Sequence, residues 1–225
     1  MDPKIQKLLY SFFKKFEQNA FSKEETILNP ADKKIFFLTN GAVKMFSTSR
    51  EKDEITINIY KAYSLFPMPL IFDLENKYTF GSLTEAEGYF APKKDFKMFL
   101  DTNPDVLFDL VKRIYQGFDG FFTQLEALLL GDAYLRVIAA LTIYARRFGK
   151  TDQNKIIFDW SMTHRQIASQ TGLARESVTR EIKKLQGKGI IGYSGKQIFI
   201  YDLGKLEEEY NSYLGKIRKL PLDKQ

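Results

Sequence analysis

The sequence predicts an α+β chain in three parts: an N-terminal antiparallel β-roll, a long helix, and a C-terminal domain of helices closed by a hairpin. Three observations predict it. Short apolar segments alternate with turn residues over positions 25–99, and a regular heptad pattern fills 104–130. From residue 132 onward helix signals return and the charge balance becomes basic. The expected divisions are 1–103, 104–131 and 132–225, with the domain boundary at 131/132.

The elements follow in chain order. Ile5, Leu8, Leu9, Phe12, Phe13 and Phe16 recur at helical spacing, so residues 4–16 read as an amphipathic helix. Then come Thr26-Ile27-Leu28, the turn Asn29-Pro30-Ala31-Asp32, the apolar run Ile35-Phe36-Phe37-Leu38, Asn40-Gly41 and Val43-Lys44-Met45-Phe46. Ile55-Thr56-Ile57-Asn58-Ile59-Tyr60 alternates as a half-buried strand does. Many short strands at close spacing imply a small antiparallel barrel or jelly roll.

Pro104 suits the first turn of the long helix. Leu107, Val111, Ile114, Phe118, Phe121, Leu125 and Leu128 form a heptad seam, and Phe108, Tyr115, Phe122 and Leu129 form a second row beside it. The stripe suits either the core of one chain or a partner helix; its steady 3.5-residue period favours a dimerisation helix. Gly117 and Gly120 weaken this helix locally or allow close approach of another. Gly131 then ends it, Asp132 caps the next, and a helix over about 133–148 ends at Phe148-Gly149.

Composition narrows the function. The 225 residues contain no cysteine, which excludes disulfides, thiolate nucleophiles and iron–sulfur clusters. No run of 18 apolar residues occurs, and Met1-Asp2-Pro3-Lys4 leads into an amphipathic stretch without a signal core, so no membrane span and a cytoplasmic location are expected. With a single histidine, His164, and no phosphate loop, metal-ligand cluster or paired carboxylates, no enzyme and no metal are expected. The net charge of +6 is uneven: residues 1–131 hold 17 Lys/Arg against 18 Asp/Glu, whereas residues 132–225 hold 17 against 10. A basic module attached to a neutral one suits a polyanion partner, although a solvated lysine-rich surface would look the same.

The informative segment runs from Met162 to Leu185. Thr163 followed by Gln166 is a capping box, Ile167 and Ala168 face inward, Gly172 supplies a turn, and Leu173 plugs the angle to a second helix starting near Arg175. Val178, Ile182 and Leu185 are its inward residues, which leaves Arg175, Glu176, Thr179, Arg180 and Lys183 outside. Such a helix fits the major groove, where Arg reads guanine and Glu accepts from cytosine. Lys183, Lys184, Lys188 and Lys196 suit phosphates, and each charge taken alone also suits a solvated face. Ile190 to Tyr193 and Gln197 to Tyr201 flank Ser194-Gly195-Lys196 as a hairpin, completing a winged helix-turn-helix for double-stranded DNA.

Residues 162–201 resemble the winged helix of the Crp–Fnr superfamily of bacterial regulators, closest over Gly172-Leu173-Ala174-Arg175-Glu176-Ser177-Val178-Thr179-Arg180. Asn29-Pro30-Ala31-Asp32, Phe37-Leu38, Gly41 and Val43-Lys44 resemble the early turns of that family's cyclic-nucleotide-binding-like roll. Thr84-Glu85-Ala86-Glu87 and Lys94-Asp95-Phe96 resemble its last strands. The resemblance implies a homodimeric transcription regulator on an inverted-repeat operator with TGTGA-like half-sites, with RNA polymerase as a partner. It implies Arg175, Glu176 and Arg180 as base readers and Thr163, Ser177, Lys183 and Lys196 as phosphate contacts; Glu176, Thr179 and Arg180 also resemble the reading triple of the Fnr branch. Ala174 departs from the usual polar cap.

The sensor departs further. Cyclic-nucleotide-binding members carry a Gly-Glu pair and an Arg-Ser or Arg-Thr pair. Here Leu65-Phe66-Pro67-Met68-Pro69-Leu70 and Asn76-Lys77-Tyr78-Thr79 stand instead. Cyclic AMP is therefore not expected, an unidentified small-molecule effector beside Asn76, Lys77 and Tyr78 is left open, and no other cofactor is expected. The aromatic stretch Tyr63 to Phe72 suits an apolar pocket and self-filling of the barrel equally. His164 reads as a surface or phosphate-side residue rather than a haem ligand. The alternative function is a ligand sensor acting through protein–protein contacts.

Overall fold

The computed structural model describes residues 1–48, 54–153, 155–160, 162–194 and 197–218. Two compact units form, Met1–Gln116 and Gly117–Gln225.

The first unit opens with α1 (Pro3–Phe13), which is three residues shorter at its C-terminal end than the apolar spacing predicts. Asp2 caps it by accepting from the Lys4 N–H. Eight strands follow: β1 (Gln18–Phe21), β2 (Thr26–Leu28), β3 (Lys34–Asn40), β4 (Ala42–Thr48), β5 (Glu54–Lys61), β6 (Leu65–Phe66), β7 (Thr79–Ser82) and β8 (Ala86–Pro92). They make two antiparallel four-stranded sheets, ordered β1-β8-β3-β6 and β2-β7-β4-β5. Gly41 turns β3 into β4 at φ +90°, and a Cβ there would lie 2.2 Å from the Glu85 carbonyl oxygen, so the turn requires glycine.

β3 explains the layering. Ile35, Phe36, Phe37 and Leu38 are all fully buried, because both faces of the strand are covered. Phe36 and Leu38 join Ile27, Leu28, Val43, Phe66, Phe80 and Ala86 in one core. Ile35 and Phe37 join Phe13, Phe96, Val106 and Leu110 in another, under the helices. Lys94, Asp95 and Phe96, which resemble a last strand, lie instead on α2 (Lys93–Thr102). The spacing of Phe96 and Leu100, both buried, is helical and pins α2 to the second core.

The helix α3 (Pro104–Leu130) matches the heptad stretch, and the division between the two units falls within it. Val106 and Leu110 pack in the first unit, while Ala127 packs with Leu135, Ala139 and Leu214 in the second. Both apolar rows are largely exposed: Phe108 at 75%, Tyr115 at 74%, Phe122 at 59% and Leu129 at 72%, with Val111, Phe118, Phe121 and Leu128 near half.

The second unit continues with α4 (Ala133–Phe148), capped by Asp132 accepting from the Leu135 N–H at 3.0 Å. β9 (Lys150–Asp152), β10 (Lys155–Ile157), β11 (Ile191–Ser194) and β12 (Gln197–Ile200) form a sheet ordered β11-β12-β10-β9. Two helices, α5 (His164–Thr171) and α6 (Arg175–Gly187), lie between β10 and β11 in the chain, and α7 (Leu203–Arg218) follows the sheet. α7 packs on α4: Leu214 enters the Ala127–Leu135–Ala139 cluster, and the Tyr213 hydroxyl donates to Asp132 at 2.7 Å.

Candidate nucleic-acid interface

The α5–turn–α6 unit is built by three local devices. The Thr163 hydroxyl accepts from the Gln166 N–H at 3.2 Å while the Gln166 side chain accepts from the Thr163 N–H at 3.0 Å. Gly172 ends α5 in the left-handed region at φ +65°. Ile167, Val178, Ile182 and Leu185 are buried. α6 is preceded at its N-cap by Ala174, which offers no side-chain hydrogen bond, so its first N–H groups lack the usual cap.

The outward face of α6 carries Arg175, Glu176, Arg180 and Lys183, all exposed, with Ser177 and Thr179 half-buried beside them. Among the described residues, no carboxylate lies within ion-pair distance of Arg165, Arg175, Arg180 or Lys183. The two other lysines read as phosphate partners are placed differently. Lys184 pairs with buried Glu181 at 2.5 Å, and Lys188 pairs with Glu209 at 2.6 Å. Their ammonium groups lie 5.5 and 5.1 Å from the Tyr134 ring centroid, on the rear of the helix. The Glu209 contact pushes the Lys188 ammonium up from its ordinary value. A helix rotates successive side chains by about 100°, which is why Lys183 and Lys184 part company. Lys183 stands open, whereas the Lys184 and Lys188 ammonium groups are engaged by carboxylates of their own chain.

Thr179, half-buried on α6, has partners within the chain. Its hydroxyl donates to the Arg175 carbonyl at 2.9 Å and lies 2.8 Å from His164 Nδ1. His164 Nε2 is in turn 2.5 Å from the Tyr193 hydroxyl on β11. Burial, and then Arg175, hold the His164 imidazole below its ordinary pKa, and burial pushes Tyr193 up. β11 and β12 pair with Ser194 opposite Gln197, which is the register of a wing. Lys196, the expected wing-tip phosphate contact, lies outside the described residues. Exposed Thr163 stands at the start of α5, on the motif's first cap.

The roll gives its candidate pocket residues other work. Asn76 is buried; its amide donates to the Tyr78 carbonyl at 2.7 Å and accepts from the Tyr78 N–H at 3.2 Å, so it brackets a turn. Lys77 is exposed and Tyr78 half-buried. Between the sheets, Phe66 stacks on Phe80 with centroids 4.7 Å apart and packs beside Tyr60 and Phe36 at 5.0 and 5.4 Å. Within the Tyr63–Phe72 stretch, Phe66 fills space between the sheets, while Tyr63 and Phe72 are exposed. Among the described residues no group of three His, Cys, Asp or Glu could hold a metal ion, and no helix is long and apolar enough to cross a membrane.

A helix-turn-helix with a wing and an open cationic outer face defines a DNA-binding protein. The comparisons agree with that class. Residues 18–103 match the cyclic nucleotide-binding domain family, and residues 135–209 match the Crp-like helix-turn-helix domain. The chain belongs to the Crp–Fnr superfamily of transcription regulators. It is 26% identical over 197 residues to the global nitrogen regulator of Nostoc sp., covering 85% of this chain and 88% of that one. It is 22% identical to the CRP-like cAMP-activated global transcriptional regulator of Mycobacterium tuberculosis, over 79% of each chain. Among solved structures, a CooA mutant from Carboxydothermus hydrogenoformans matches with TM-score 0.73 at 20% identity, covering 89% of this chain and 90% of that one. A CRP/FNR-family transcriptional regulator from Thermus thermophilus matches with TM-score 0.70 at 23% identity, covering 87% and 98%.

Proposed function

We propose that the chain regulates transcription by binding an inverted-repeat operator as a homodimer in the bacterial cytoplasm, with RNA polymerase as a partner. The observation that carries this reading is the sorting of cations on α6, where Arg175, Arg180 and Lys183 stand open while Lys184 and Lys188 are tied to carboxylates behind. Arg175, Glu176 and Arg180 read base edges; Thr163, Ser177, Lys183 and Lys196 hold phosphates. Thr179 acts from behind, through its contacts with Arg175 and His164.

The exposed double stripe of α3 supports the dimer, since an apolar surface this long is stabilised by a partner helix. Two copies related by a two-fold axis present two recognition helices to half-sites about one helical turn apart. The test is fluorescence anisotropy on duplexes selected for binding. Arg180→Ala is expected to weaken the selected site by at least about tenfold relative to bulk DNA. Unchanged preference would remove Arg180 from the base-reading set. Phe122→Asp is expected to shift the chain from dimer to monomer in analytical ultracentrifugation.

The relative from Mycobacterium tuberculosis is described as cAMP-activated. In this chain Phe66 and Phe80 fill the space between the sheets, and the family's acidic and arginine partners for the nucleotide are replaced. The reading is therefore that cyclic AMP is not its signal. Calorimetric titration with cyclic AMP is expected to give no binding heat.

A further inference from the structure

The hydrogen bonds around His164 have a direction. The Thr179 hydroxyl has one proton, and it is engaged by the Arg175 carbonyl at 2.9 Å. The proton in the 2.8 Å contact between Thr179 Oγ1 and His164 Nδ1 then comes from the imidazole. A neutral ring with its proton on Nδ1 leaves Nε2 an acceptor, and the Tyr193 hydroxyl, 2.5 Å away, is its donor. One relay thus runs from the wing strand β11 through the first helix of the motif to the recognition helix. We propose that His164 is a positioning residue, held neutral with its proton on Nδ1, that ties the wing to the recognition helix, and that protonating it reverses the bond to Tyr193, loosens the wing and weakens DNA binding.

The physical reason is satisfiability. An imidazolium has two donors and no acceptor, so the Tyr193 hydroxyl must turn to accept from Nε2–H, and its own half-buried proton loses the acceptor it had. The groups facing His164 oppose the charged form. Arg175 on α6 is the cation beside it, and Tyr193 on β11 stays a neutral donor because burial pushes its hydroxyl up. On α5 itself no carboxylate among the described residues reaches the ring. An imidazole that met a phosphate directly would behave oppositely, since its protonation would add a cation to the interface.

This inference rests on the DNA-binding reading above, and its experiment separates the two. His164 is the only histidine, so its imidazole nitrogens give one unambiguous signal in NMR of the full chain without DNA. The Nδ1–H tautomer is expected, with a titration midpoint below that of a free imidazole. Tyr193→Phe is expected to raise the midpoint, because it deletes the donor that favours the neutral ring. Thr179→Ser, which keeps the hydroxyl, is expected to retain the tautomer, and Thr179→Val to lose it. An Nε2–H tautomer, or a midpoint indifferent to Tyr193→Phe, overturns the relay. In the second arm, affinity for a selected duplex is followed from about pH 8 to about pH 5. A loss of about fivefold on acidification, as for one hydrogen bond, is expected in the parent and is blunted in Tyr193→Phe. Affinity that is flat or rises with acid overturns the linkage, whereas no sequence preference at any pH overturns the DNA-binding reading and leaves the first arm decisive for the relay.

Discussion

The two halves of this chain both bury apolar cores, but they differ in the contacts that shape their working parts. The first unit contains 14 of the 20 phenylalanines, and its interior is a set of rings packed against rings: Phe13 on Phe37, Phe66 on Phe80, Phe12 on Phe99. Its charges nearly cancel. In the second unit the decisive contacts are directional and polar: the capping box at Thr163, the His164 relay, and the ion pairs behind α6. Apolar burial is indifferent to orientation, so a roll built that way tolerates a changed ligand site. A reading head cannot be so indifferent, because each guanidinium must arrive at a base edge within hydrogen-bonding reach.

Substitutions can break this contrast. The largest effect is expected from Phe66→Ala, which empties the centre of the roll and costs about 3–5 kcal/mol in urea denaturation. A loss below about 1 kcal/mol would mean the rings are not the mainstay of that unit. Arg180→Ala should do the reverse, leaving stability within about 0.5 kcal/mol while specific binding falls. Lys183 and Lys184 sharpen the comparison within α6. Lys183→Ala is expected to reduce the slope of log affinity against log salt by about one. Lys184→Ala is expected to leave that slope unchanged and to cost about 1 kcal/mol of stability, because it strips buried Glu181 of its partner. The smallest effect concerns Asp73, whose carboxyl the Lys93 and Lys97 hydrogen bonds hold down at about 2. A depressed carboxylate contributes stability above its ordinary range and loses it as pH falls through the folded value. Asp73→Asn should therefore melt slightly lower at neutral pH, and the two proteins should converge as pH approaches about 2.

What the sequence made visible was what short-range rules determine. The bounds of α3 and α6, the capping box and the left-handed Gly172 are all properties of adjacent residues, and each is where the pattern placed it. α2 was hidden because its resemblance to a last strand outweighed the helical spacing of Phe96 and Leu100. α7 carries Leu206, Tyr210, Leu214 and Ile217 at helical spacing, a signal that was present and unread. The fates of single polar side chains were a different matter. Lys188 is engaged by Glu209, 21 residues on, and Thr179 by a histidine 15 residues back whose other nitrogen meets Tyr193. Those partners belong to other elements, so no local pattern could disclose them.

The last helix has a mechanical consequence. Arg218 of α7 pairs with Glu126, Leu214 sits on Ala127 and Leu135, and Tyr213 donates to Asp132, so one helix touches both sides of the Gly131 bend. The bend is a braced elbow rather than a free swivel. Re-aiming α4 against the end of α3 requires three unlike contacts to let go together, so such a joint resists small pushes and yields, if at all, in a single snap.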